Sequence, residues 1–290
     1  MKNTDIGDAL FLQAVEAINN GDTAELGDLI AMHPYLVKER LCTTEEGYFK
    51  DPYLLWFVAD NPIRIDKMPA NILEITSMLV QAVKREAPDT YSDQITYTLG
   101  LAATGRIPRD CGVQIAMMDL LIDAGAPPGG AMGALANGNV EAARHLVKRG
   151  GKLTLAAAVC LELADDVNCL GTTASPDEKL TALTAAAFYG KTAMIGLLLA
   201  IGTDPNGYPE NDSGFHSHAT PLHQAVSSGS MDAVKLLVEA GARLDMPDKI
   251  YNGTPLGWAA YMQTDNDYDE DRKRKFALIE AYLREIERAK

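Results

Sequence analysis

The chain has 290 residues, 47% of them hydrophobic, which is ample apolar surface to bury. Its 26 Lys and Arg stand against 40 Asp and Glu, a formal net charge of −14, which argues against a nucleic-acid backbone or an anionic membrane as main partner and favours a neutral or basic one. The opening residues MKNTDIGDAL lack the charged start and apolar core of a signal peptide, and AMIGLLLAIG is too short to span a bilayer, so a soluble cytoplasmic protein is expected.

Taken in chain order, the sequence reads as a succession of paired short helices. FLQAVEAINNGDTAELGDLIAMHP has two apolar periodicities around a central Gly21-Asp22, the pattern of helix, turn, helix. Leu54 to Val83 offers LLWFVADN, a proline-bounded insertion from Pro62 to Pro69, and then ILEITSMLVQAV as a second helix. From Tyr97 to Ala126 comes YTLGLAATG, an insertion around Ile107 to Val113, and MMDLLIDAGA. Ala131 to Gly151, AMGALANGNVEAARHLVKRGG, predicts another pair, and LTLAAAVCLELADDVNCLG a shortened one.

Three clearer copies follow, TALTAAAFYGKTAMIGLLLAIGTDPN from Thr181, TPLHQAVSSGSMDAVKLLVEAGARLD from Thr220 and TPLGWAAYM from Thr254. In the second, Thr220 is an expected N-cap and Pro221 sits in the first turn, where no amide donor is missed. Leu222, Ala225 and Val226 form a narrow apolar stripe, and Gly229 supplies the left-handed residue that ends the helix. Val234, Leu237 and Val238 recur at the spacing of a buried helix face. Gly241 follows Gly229 by 12 residues, as Gly202 follows Gly190 and Gly150 follows Gly138. The C-terminal DYDEDRKRKFALIEAYLREIERAK predicts a capping helix with Phe276, Ile279, Leu283 and Ile286 on one face.

Helix pairs with T-P-L-H-x-A, a mid-repeat glycine and a terminal G-A resemble the ankyrin repeat. Leu222 and Leu256 are 34 apart and Leu183 and Leu222 are 39 apart, so about six residues beyond the ankyrin period of roughly 33 fall in the intervening finger, within Gly207 to His218. The resemblance implies an all-α ankyrin-repeat solenoid of about eight units. Residues 1–180 hold degenerate repeats with insertions, 181–265 the clear repeats and 266–290 the capping helix, within one 1–290 domain. Degenerate first units with inserted loops are similar to those of bacterial ankyrin-repeat proteins.

Chemistry finds little support. No nucleophile elbow, phosphate loop, zincin or dinucleotide fingerprint occurs, so neither catalytic residues nor a cofactor are expected. Cys42, Cys111, Cys160 and Cys169 contain no C-x-x-C pair, which favours unoxidised thiols over a zinc ribbon. GFHSHATPLH places His216, His218 and His223 within eight residues, and a metal or small ligand on this finger is the alternative to a binding surface. Against it, no cysteine or placed carboxylate completes a ligand set, and the resemblance implies that His223 ties finger to helix by side-chain hydrogen bonds. His145 is expected to be a satisfied, half-buried histidine, and His33 a helix-end residue.

In ankyrin proteins the residues before the mid-repeat glycine and the finger tips face a concave groove that binds other proteins or peptides. The resemblance therefore implies partner-binding roles for Phe188, Tyr189, His216, Ser227, Ser228, Ile250, Tyr251, Tyr261 and Met262, with aromatic and Met side chains as anchors. For Phe188 or Met262 the other reading is that the side chain fills space between neighbouring repeats.

Overall fold

The computed structural model describes residues 6–43, 46–210 and 216–289, and among them secondary structure is helical, with one isolated bridge between Gly130 and Lys152. The chain divides into two compact units, Met1–Lys152 and Leu153–Lys290.

In the first unit, α1 (Ala9–Asn20) and α2 (Thr23–Met32) form the expected opening pair, joined by Gly21 and capped by Asp8 and Asp22. His33 ends α2, and a short α3 (Tyr35–Lys38) follows. LLWFVA, read as the first helix of its pair, is a 3-10 helix, Leu54–Ala59. All six residues are buried, and 3-10 geometry is common in such short connecting pieces. The insertion after it is pinned from below. Asp60, 3% exposed, accepts the amides of Arg64 and Asp66 at 3.0 and 3.1 Å, while Arg64 Nη2 donates to Phe57 O at 2.8 Å.

α4 (Ile72–Glu86) buries Ile72, Ile75, Leu79 and Val83 at helical spacing and carries Lys84 and Arg85 in its last turn, where they complement the dipole. α5 (Tyr91–Thr104) starts six residues before the predicted Tyr97. The inserted stretch that follows contains a short helix of its own, α6 (Arg106–Asp110). Then come α7 (Gln114–Asp123), α8 (Met132–Ala136) and α9 (Val140–Lys148). His145 is half-buried and satisfied, with Nε2 2.8 Å from Asp119 Oδ1. Burial weakens the Asp119 carboxylate, but its bonds to His145 and Arg149 win and hold it below its ordinary range.

The second unit opens with the abbreviated pair α10 (Leu155–Cys160) and α11 (Ala164–Gly171). α12 (Pro176–Phe188) corrects the predicted start at Thr181: Thr181 lies inside the helix. The physical reason is an upstream S-P-D-E, in which Ser175 accepts the amide of Glu178 and the Glu178 carboxylate accepts that of Ser175. α13 (Thr192–Ala200) completes that pair.

α14 (Pro221–Ser228) and α15 (Met231–Glu239) follow the predicted grammar closely. Thr220 caps α14, Gly229 ends it at φ 71°, and Leu222, Ala225, Val226, Val234 and Leu237 are all fully buried. α16 (Pro255–Met262) is capped by Thr254, and α17 (Glu270–Ala289) packs on α15 and α16 through Phe276, Ile279 and Leu283. Ile286 is only half-buried, a turn beyond that seam. The insertion predicted within Gly207 to His218 includes residues 211–215, which lie outside the described residues.

Candidate functional site

The fingers of the second unit are held as a ladder. Asn206 Oδ1 accepts the Arg243 amide at 2.8 Å, Tyr208 Oη donates to Pro247 O, and the Lys249 amide donates to His218 O at 2.8 Å. His223 locks one rung. Gly253 O can only accept, so His223 Nε2 carries the proton and donates to it at 2.9 Å. Nδ1 then accepts from the Thr220 hydroxyl at 2.8 Å and from the Thr220 amide at 3.3 Å. Burial lowers the His223 pKa against the raising effect of the Gly253 bond, which favours this neutral tautomer. Both nitrogens are thereby committed, so His223 has no lone pair left for a metal. Among the described residues no group of three His, Cys, Asp or Glu could hold an ion.

The last finger is built on Asp248, which the sequence reading passed over. This carboxylate is 3% exposed and accepts four hydrogen bonds. Oδ1 takes the amides of Ile250 and Tyr251 at 2.9 and 2.6 Å, and Oδ2 takes the Gly253 amide and the Trp258 indole at 2.8 and 3.0 Å. Burial pushes its pKa up, but the four donors outweigh that and hold the carboxyl at about 2. Folding the loop around a carboxylate leaves Ile250 61% and Tyr251 78% exposed at the tip.

Rings continue from one finger to the next. The His216 imidazole stacks on Phe188 at 4.5 Å between centroids, Phe188 meets Tyr189 edge-on at 5.0 Å, and His218 lies 6.1 Å from Trp258. Phe188 and Tyr189 are half-buried, and burial, helped by Cys160, pushes the Tyr189 phenol up to about 12, so it stays neutral. Burial and then His218 lower the pKa of His216. Ser227 and Ser228 are half-buried where α14 ends. Ser228 Oγ donates to Ala225 O at 2.7 Å and accepts the Ser230 amide at 3.2 Å, so it serves the turn.

At the far side of the strip is a pocket of about 490 Å³ lined by Tyr251, Gly253, Gly257, Trp258, Tyr261 and Met262. Tyr261 is 66% exposed, whereas Met262 is 9% exposed. The pocket has a local cause. In α14 every residue from Pro221 to Val226 is buried, but in α16 only Pro255, Ala259 and Met262 are. Where the earlier copy has His223 and Gln224, this one has Gly257 and Trp258, so a missing side chain sits beside a large ring. Gly253 lets the finger pack closely: a Cβ there would lie 3.1 Å from the Trp258 ring and 3.2 Å from Asp248 Oδ2, so one of them would have to give by a few tenths of an ångström.

The structure thus gathers Tyr251, Tyr261 and Met262 around one pocket, leaves Ile250 exposed at the finger tip outside it, and joins Phe188, Tyr189 and His216 into one aromatic cluster. Trp258, Gly253, Gly257 and Asp248 were missed. The G-W in place of H-Q was the readable signal for Gly257 and Trp258. A separate pocket of about 920 Å³ lies in the first unit, where Trp56 stacks on Tyr97 at 4.0 Å. No predicted residue falls there.

Residues 130–248 match a family profile described as ankyrin repeats, in three copies. A stretch of 124 residues is 37% identical to the zinc finger CCCH domain-containing protein 50 of Oryza sativa subsp. japonica, a match that covers 41% of this chain and 15% of that protein. Among solved structures, the human ASB11 ankyrin repeat domain is 18% identical over 71% of this chain and 95% of its own, with a TM-score of 0.32.

Proposed function

The chain belongs to the ankyrin repeat family through residues 130–248, and from that premise we propose that it is a non-enzymatic binding protein whose partner docks on the fingers and first helices of the second unit. Ankyrin repeats generally mediate protein–protein interaction. The observation that carries the finer reading is the pocket beside the exposed Tyr251 and Tyr261, on a finger that Asp248 holds rigid. Large rings at such a position bury much area and lose little rotamer freedom, which is what interface anchors require. Phe188, Tyr189 and His216 extend the surface along the neighbouring copies, with Ser227, Ser228 and Ile250 at its edges.

The net charge of −14 favours a neutral or basic partner protein or peptide. We place the protein in the cytoplasm, away from nucleic acid and membrane. Among the described residues no helix is long and apolar enough to cross a membrane.

The test is capture from the source cells with wild type, Tyr251→Ala and a control substitution at the exposed Glu239 of α15. Loss of one defined protein with Tyr251→Ala but not with the control supports the reading. Loss only with the control puts the site on the second-helix side and defeats it.

A further inference from the structure

The pocket beside α16 has a composition that selects among partner groups. Three of its six lining residues are aromatic, two are glycines that leave space, and the sixth is a thioether. No lining side chain is a carboxylate, an amide or a base. Aromatic faces attract cations through the ring quadrupole, and most strongly for Trp.

One anion stands directly behind this wall. Asp248 Oδ2 accepts the Trp258 indole N–H at 3.0 Å, and a Cβ on the lining residue Gly253 would come within 3.2 Å of the same oxygen. The carboxylate polarises the ring and adds a negative field in a partly dehydrated setting. Yet it offers no hydrogen bond to a ligand, because each of its oxygens already takes two donors. A primary ammonium or guanidinium entering here would shed water and leave N–H groups without strong acceptors, which is costly. A cation whose nitrogen bears methyl groups has fewer donors to satisfy and more apolar surface to bury.

We propose that this pocket takes a methylated ammonium group, presented as a methylated lysine of the protein partner. The inference rests on the reading that this face binds a protein, and it commits that reading to one anchor. The volume of about 490 Å³ is roomy enough for the head group together with its alkyl stem, which would lie along Tyr251 or Tyr261. Negative net charge on the chain favours the same sign of ligand.

The experiment uses the full chain labelled with ¹⁵N. The chain has two Trp, Trp56 and Trp258, so the Trp258 indole N–H signal is identified as the one absent from Trp258→Phe. Four probes are titrated: N-acetyl-trimethyl-lysine methylamide, the same amide of unmodified lysine, its neutral isostere with a tert-butyl in place of the trimethylammonium, and choline. The trimethyl-lysine amide should move the Trp258 signal and bind at least about fivefold tighter than either the isostere or lysine.

Gly257→Leu fills the pocket without removing a ring, and a Cβ at this helical position meets only Thr254 Oγ1, at 3.5 Å. It should keep the circular dichroism of wild type and lose the response. Equal binding of the neutral isostere overturns the cation assignment while leaving the protein-binding face standing. Choline binding as tightly as the amide overturns the peptide source. If no probe moves Trp258, or if Gly257→Leu responds like wild type, the pocket is not the site.

Discussion

Replacing Asp248 with Asn tests whether one carboxylate organises the last finger. The side chain keeps its shape, and Asn Oδ1 can still accept the amides of Ile250 and Tyr251. Its NH₂ group, however, would then face the Gly253 N–H and the Trp258 indole N–H, donor against donor. Two donors losing their acceptor cost about 1–3 kcal/mol each where they are buried. At the half-buried finger the lower part of that range applies, so a loss of roughly 2–4 kcal/mol is expected at pH 7.

The pKa expresses the effect of the same four bonds as a pH dependence. A carboxyl held at about 2 in the folded protein, against an ordinary 3.8, contributes roughly 2 kcal/mol above pH 4. Because the folded value is the lower one, that contribution is complete above the unfolded pKa and fades as pH falls through the folded pKa. About half of it should be gone at pH 3. Urea unfolding followed by Trp fluorescence at pH 7 and pH 3 provides the assay, with Trp258 as the local reporter. The gap between wild type and Asp248→Asn should narrow by about 1 kcal/mol between the two. A gap under about 0.5 kcal/mol at pH 7, or one of equal size at both, would refute the reasoning.

Leu237→Ala, at a fully buried site on α15, should cost about 2–5 kcal/mol in the same unfolding assay; a change within surface scatter would mean the packing face is wrong. His223→Ala should lose about 1–3 kcal/mol because Thr220 and Gly253 O lose their partner, while His218→Ala should lose less. Since burial lowers the folded pKa of His223, its stabilising effect should be present above about pH 6.5 and diminish as pH falls below it, a trend that His223→Ala should weaken. Cys42, Cys111 and Cys169 are exposed, and Cys160 is buried with its thiol pushed up to about 12 by burial, against a small opposing effect of Lys191. A native-state thiol titration should therefore show three fast sites and one slow one, and four equal rates would contradict the placement of α10.

Where the sequence wrote its own punctuation, the fold was legible. Thr220-Pro221 and Thr254-Pro255 start helices where a hydroxyl cap and a proline demand it, and Gly229 ends one because only glycine adopts that backbone without strain. The misplaced start of α12 shows the limit of matching copies to one another. Thr181 aligns with Thr220 yet lies mid-helix, because a local Ser175–Glu178 capping box overrides the repeat register. The 3-10 helix at Leu54 was hidden because apolar runs do not report helix type. At the site, exposure of Tyr251 and Tyr261 followed from position in the repeat. Asp248 did not, since a carboxylate at a loop start reads as ordinary surface until its four donors are seen. Met262 is buried at the end of α16, the helix on which α17 packs, and that packing is not displayed by the repeat pattern.

The uneven cover of the first helices has a thermodynamic corollary. In a linear array each element owes much of its stability to nearest-neighbour coupling. α14 is sealed between α12 and α16, whereas α16 packs chiefly against α14 and α17 and leaves Gly257 and Tyr261 bare. A ligand seated against that bare face would act as a surrogate neighbour. Its binding energy would enter the array as an added coupling term at one end, stabilising the native state by mass action. That stabilisation would be felt first by α16 and its finger, and then, with falling amplitude, by each copy further along the stack.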